Sequence, residues 1–126
     1  MENYRINLAG FGIDDEFLMH LNINDLEITK KGDIWNKHTG KKYEENIIRI
    51  SGSTTYEKGF GIAVDSIIKR VESDTLLNNL FHRCEYVELQ IWICQDDDHR
   101  VPSITLSPEQ MEFLIKLKAN VDIDVM

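Results

Sequence analysis

Four stretches of the chain alternate apolar and polar positions with the period of two expected of strands. Tyr4, Ile6 and Leu8 alternate with Arg5, Asn7 and Ala9, the pattern of a strand with one buried face. Ile48 and Ile50 share one side of a second strand, with Ile47 and Arg49 on the other. Val87, Leu89, Ile91 and Ile93 alternate with Tyr86, Glu88, Gln90, Trp92 and Cys94, and near the end Val121, Ile123 and Val125 alternate with Asp122 and Asp124. The short apolar run at 103–106 predicts one more strand, returning from the third through residues 95–102.

Between these stretches the period changes to that of a helix. Phe60, Ala63, Val64, Ile67, Ile68 and Val71 recur at i, i+3, i+4, i+7, i+8 and i+11, the buried stripe of an amphipathic helix. Ser51, Ser53, Thr54 and Thr55 precede it and are read as capping residues. A shorter helix follows Ser73 or Asp74, with Leu76, Leu77, Leu80 and Phe81 as its stripe. Ser107, Pro108, Glu109 and Gln110 carry the start signals of another, which Lys116, Lys118 and Asn120 close. Asp14 or Asp15 opens a short helix holding Phe17, Leu18 and Leu21; most of 22–46 reads as loop with room for a short ribbon.

This order predicts an α+β fold: an antiparallel or mixed sheet of about five strands, helices packed on one face, and a split βαβ-like C-terminal part. With 126 residues the whole chain, 1–126, is expected to form one domain around one core.

Charge then narrows the partners. The net charge of −8 repels phosphate backbones and anionic membranes, so nucleic acid and membranes are not expected partners and a basic protein is. One segment runs the other way: residues 30–42 hold Lys30, Lys31, Lys37, Lys41 and Lys42 against Asp33 alone. The chain has no apolar run of membrane-spanning length and its start lacks a basic leader, which predicts a cytoplasmic protein. Cys84 and Cys94 flank a single strand, which would hold their Cα atoms about 33 Å apart, so both are expected as reduced thiols.

Candidate chemistry is sparse. Asp96, Asp97 and Asp98 lie in what reads as a hairpin loop; three consecutive aspartates splay apart where an oxygen-ligand metal loop alternates them, so no metal is expected. His20, His38, His82 and His99 are scattered without partners at metal-ligand spacing. His82 and Cys84 are close in sequence, with nothing to mark a third orienting group for nucleophilic catalysis. The two glycine-containing stretches at 10–15 and 32–42 depart from the nucleotide-binding fingerprints they mimic. The most suggestive surface is the second face of the third strand, where Tyr86 and Trp92 stand among Glu88 and Gln90: aromatics that anchor and carboxylates that steer a basic protein.

In the order of these features, "YRINLAGFG", "KGDIWNKHTGKKY" ahead of "IIRISG", and "ITLSPEQMEFLIKLKANVDIDV", the chain resembles the bacterial domain of unknown function 4279 family. Lys31, Gly32 and Asp33, and the helix opening Leu106 to Glu109 followed by an acidic strand, carry the likeness. The family commonly has a Trp in the strand after the basic loop, whereas this chain has Trp35 earlier. The resemblance implies an α+β fold and a bacterial cytoplasmic setting and supplies no catalytic residues.

A small acidic domain without a catalytic constellation is similar in character to immunity proteins, which neutralise a cognate toxin. The expected function is therefore a non-enzymatic protein-binding module, without cofactor, monomeric or weakly dimeric, meeting a basic toxin through Asp96, Asp97, Asp98, Glu88, Trp92, Tyr86, Asp122 and Asp124. The alternative is a small-molecule-binding or enzymatic domain that uses Lys31, Asp33, His38 and Lys41 for an anionic ligand.

Overall fold

A computed structural model describes residues 4–19, 21–54, 59–94 and 103–125. Its main sheet has five strands in the order β2 (Leu26–Thr29), β5 (Ile47–Thr54), β1 (Tyr4–Phe11), β6 (Tyr86–Ile93) and β7 (Asn120–Val125). A separate two-stranded ribbon, β3 (Ile34–Asn36) with β4 (Lys41–Lys42), sits in the basic segment. The helices are α1 (Asp15–Leu18), α2 (Phe60–Glu72), α3 (Thr75–Arg83) and α4 (Pro108–Lys116).

β1 lies at the centre, antiparallel to both β5 and β6. Strands β5 and β6 are therefore parallel to one another, joined through α2 and α3, with β1 inserted between them: a split βαβ unit. β7 then runs parallel to β6 after α4, which makes the sheet mixed. One face of the sheet meets the helices. There Ile6 and Leu8, Ile48 and Ile50, and Leu89, Ile91 and Ile93 form one hydrophobic cluster with Phe60, Val64, Ile67 and Val71 of α2, Leu77, Leu80 and Phe81 of α3, and Phe113 and Leu114 of α4. Burial of each such side chain contributes about 1.5–3 kcal/mol, which holds the helices to that face.

The helix ends are secured locally. Ser107 accepts from the Gln110 N–H at 3.1 Å while Gln110 Oε1 accepts from the Ser107 N–H at 2.8 Å. Gln110 also donates from Nε2 to Asp65 Oδ1 at 2.9 Å and to the Gly61 carbonyl at 3.3 Å, so the cap of α4 doubles as its tie to α2. Asp74 accepts from the Leu77 N–H at 3.1 Å and pairs with Arg70 at 3.0 Å, and Arg70 reaches the Asn24 carbonyl at 3.0 Å.

Several local expectations change. Residues 103–106 form no strand: the edge of β6 that they were to occupy is taken by β7, and Ile104 and Leu106 pack on the core as coil instead. The fifth strand comes from the loop, as β2, whose Leu26 and Ile28 reach the core cluster beside β5. Ser51, Ser53 and Thr54 belong to β5, Thr55 lies outside the described residues, and the N-cap of α2 is Gly59, which at φ 84° takes a backbone conformation that other residues adopt only with strain. Leu76 points outward while Leu77, Leu80 and Phe81 are buried. β7 is exposed on both faces along its whole length, as an edge strand with nothing laid over it among the described residues. The predicted hairpin loop carrying Asp96, Asp97 and Asp98, and His20 and His99, lie outside the described residues.

Candidate functional site

The sheet face opposite the helices carries the residues singled out on β6 and β7. Register aligns them in rows, because directly paired residues project to the same side. One row runs Ser51, Asn7, Gln90, Asp122; its neighbour runs Arg49, Ala9, Glu88, Asn120; at the two ends Trp92 lies between Arg5 and Asp124, and Tyr86 pairs with Phe11. Tyr86, Glu88, Trp92, Asp122 and Asp124 therefore do share one face. Asp96, Asp97 and Asp98 follow β6 in the chain and fall outside the described residues.

Side-chain bonds organise the β6 part. Glu88 accepts from the Tyr86 hydroxyl at 2.8 Å and from Gln90 Nε2 at 3.1 Å. Holding that proton against a carboxylate raises the Tyr86 pKa, with reduced hydration adding to the effect. The Tyr86 ring also lies 5.6 Å from that of Phe11. Asp122 has a raised pKa, first from reduced hydration against the sheet and then from the charges of Asp124 and Glu88. Among the described residues no cation pairs with Glu88, Asp122 or Asp124. Arg49, in the row of Glu88 but two strands away, is engaged with Thr29 at 3.1 Å and Glu27 at 3.8 Å, and Arg5, directly across from Trp92, pairs with none of the three.

This like-charge crowding has a measurable consequence. A carboxyl whose folded pKa lies above its unfolded value contributes stability below the unfolded pKa and loses it as pH rises through the folded one. Asp122→Asn should therefore melt higher than the parent at pH 7 and show no advantage well below pH 3.8, where both are uncharged. A variant that melts lower at pH 7 would mean that Asp122 has a stabilising partner.

Two residues on this face escaped the sequence reading as site residues. Asn7 is only 8% exposed and its Oδ1 is buried without a hydrogen-bond partner among the described residues; Gln90 Oε1, directly across from it, is likewise buried and unpartnered among them. Asparagine is disfavoured in strand interiors, and Asn7 between Ile6 and Leu8 was the available signal. The face was also expected to be solvated at β1, yet Ala9 is fully buried there.

The basic segment forms the ribbon and its turns. Asp33 accepts from the Lys30 N–H at 3.0 Å, Lys31 donates its N–H to Asn46 Oδ1 at 2.8 Å, and Asn36 accepts from the His38 N–H at 2.9 Å. Lys41 stacks over Trp35 with its Nζ 5.5 Å from the ring centre. An open groove of about 610 Å³ runs between this ribbon and the sheet at Phe11 and Ile47. Of Lys31, Asp33, His38 and Lys41, only Lys41 lines it, and Lys41 and Lys42 are matched there by Glu44 and Glu45. In this groove the positive charge of Lys41 and Lys42 is thus offset by Glu44 and Glu45.

Cys84 and Cys94 are not joined in a disulfide. Burial pushes the Cys84 thiol up to about 12, and it donates to the Leu80 carbonyl at 3.4 Å. Such a group stays protonated at neutral pH, the opposite of an activated nucleophile. On the helix side, a smaller hollow of about 340 Å³ is bordered by Glu72, His82, Glu109, Glu112 and Lys116, where Lys116 already pairs with Glu112 at 3.6 Å.

Among the described residues, no helix is long and apolar enough to cross a membrane. No curated protein and no solved structure matches the chain. A family model does: the one described as Domain of unknown function (DUF4279) matches residues 12–126, which takes in every helix and every strand except β1. With most of its length covered, the chain belongs to the DUF4279 family.

Proposed function

We propose that this protein is a non-enzymatic binding module for a basic protein, and most concretely an immunity protein of the bacterial cytoplasm that neutralises a cationic toxin. The observation that carries the reading is the cross-strand register that gathers Glu88, Asp122 and Asp124 with Tyr86 and Trp92 on a face where no described cation neutralises them. Unpaired carboxylates accelerate encounter with a cationic surface, and the two rings provide apolar area for an anchor once contact is made. Asp96, Asp97 and Asp98, which follow β6 in the sequence, add to the chain's negative charge. Tyr86, at 42% exposure, is available to a partner without rearrangement of the sheet.

The test is to look for a toxin gene beside its own and to co-express the two products, followed by binding kinetics at low and high salt. Wild-type protein should restore growth. Asp122→Asn with Asp124→Asn should slow association and flatten its salt dependence, whereas Trp92→Ala should chiefly speed dissociation. Replacement of Asp96, Asp97 and Asp98 by Asn reports separately on the loop. An association rate unmoved by either set of aspartate changes would sink the reading.

A further inference from the structure

We propose that the row Asn7, Gln90 and Asp122 is a receiving site for a guanidinium group, the arginine side chain of a partner being its source. The proposal rests on the protein-binding reading for that source and on the geometry of the row for the chemistry.

Buried polar atoms in folded proteins are almost always bonded, so unbonded ones call for an explanation. Here two acceptors on facing residues of adjacent strands, Asn7 Oδ1 and Gln90 Oε1, are both buried and, among the described residues, both lack a donor. The Gln90 amide orientation is held by its neighbour: Nε2 donates to Glu88 Oε1, and a flipped amide would set carbonyl against carboxylate. Its oxygen is thus an acceptor left over by the fold. On the other side of Gln90 stands Asp122, whose carboxylate has no cation among the described residues. The row offers acceptors and negative charge and asks for donors and positive charge.

The class of donor follows from spacing and surroundings. Asn7, Gln90 and Asp122 stand on three successive strands, so the row spans two gaps of about 4.8 Å each; one ammonium can bridge a single gap, while a guanidinium projects five N–H groups in a plane and can reach along the row. Trp92 is two residues along β6 on the same face, where its ring can stack on such a plane.

The experiment follows the Gln90 side-chain amide and the Trp92 indole by NMR during titration with three probes: N-acetyl-arginine amide, its uncharged isostere N-acetyl-citrulline amide, and a hexa-arginine peptide. Arginine-bearing probes should move both signals saturably and the citrulline probe should not. A response to the single arginine amide means that free guanidino compounds are accepted too; a response to the peptide alone means that the group must be presented by a chain. Asn7→Leu with Gln90→Leu should melt no lower than the parent, because orphan acceptors give way to apolar groups of similar size, yet lose at least about ten-fold in affinity. If that pair does not fold, the isosteric Asn7→Asp takes its place and should bind several-fold more tightly. Equal binding of citrulline and arginine amides, or full affinity in the Leu pair or unchanged affinity in Asn7→Asp, would overturn the site. Peptide binding that survives the Leu pair but falls in Asp122→Asn with Asp124→Asn would leave the acidic-face reading standing without this site.

Discussion

Phe81→Ala should lower stability by about 3–5 kcal/mol, the largest loss expected of any single substitution considered for this chain. Phe81 is fully buried at the C-terminal end of α3, in the cluster where that helix meets the sheet. Truncation removes the transfer free energy of the ring and leaves a cavity, because the backbone of β1 and the body of α3 cannot both close on it. The checking measurement is urea unfolding, with a lowered midpoint and an unchanged slope. Leu76→Ala is the control on the same helix: Leu76 is 51% exposed, and a change within about 0.5 kcal/mol is expected there. Equal losses at the two positions would mean that α3 is rotated from the orientation described.

Gly10→Ala should cost about 1–3 kcal/mol, although adding a methyl group to a strand glycine ordinarily helps. Gly10 is the next-to-last residue of β1, opposite Ile48 on one side and Val87 on the other. A Cβ at this position would lie 2.5 Å from Cys84 Sγ and 3.2 Å from both Ile48 Cγ1 and Phe81 Cδ1. The glycine is thus required by the close approach of α3 and its C-cap to the strand. Because the nearest obstruction is the thiol, Cys84→Ala should recover part of the loss in the double variant, a non-additivity that a thermodynamic cycle measures. A Gly10→Ala protein as stable as its parent would show that α3 stands off from β1.

These two sites also mark where local pattern stops being informative. The four-residue stripe of α3 is visible in the sequence, but a period of 3.6 allows a range of rotations, and only packing against β1 separates buried Phe81 from exposed Leu76. The strands at 4–11, 47–54, 86–93 and 120–125 were legible for a related reason: alternation reports which side chains share a face. It does not report which strand lies beside which. That β7 would run parallel to β6, displacing residues 103–106 from the edge, and that the short β2 would supply the fifth strand, depended on non-local pairing.

The candidate site divides along the same line. The sequence alone determined the α+β class, the negative charge, and that Tyr86, Glu88 and Trp92 share one side of a strand, as Asp122 and Asp124 share one side of another, because period and charge are properties of neighbours in the chain. Only the tertiary structure decided that these two sides are the same face, that Asn7 and Gln90 meet across it with oxygens unpaired among the described residues, and that Lys41 and Lys42 line a groove beside Glu44 and Glu45. The physical reason is that burial, desolvation and hydrogen-bond satisfaction belong to pairs of residues far apart in the chain. Asn7 lies 83 positions from Gln90, and what each lacks becomes defined only when β1 and β6 are hydrogen-bonded in register.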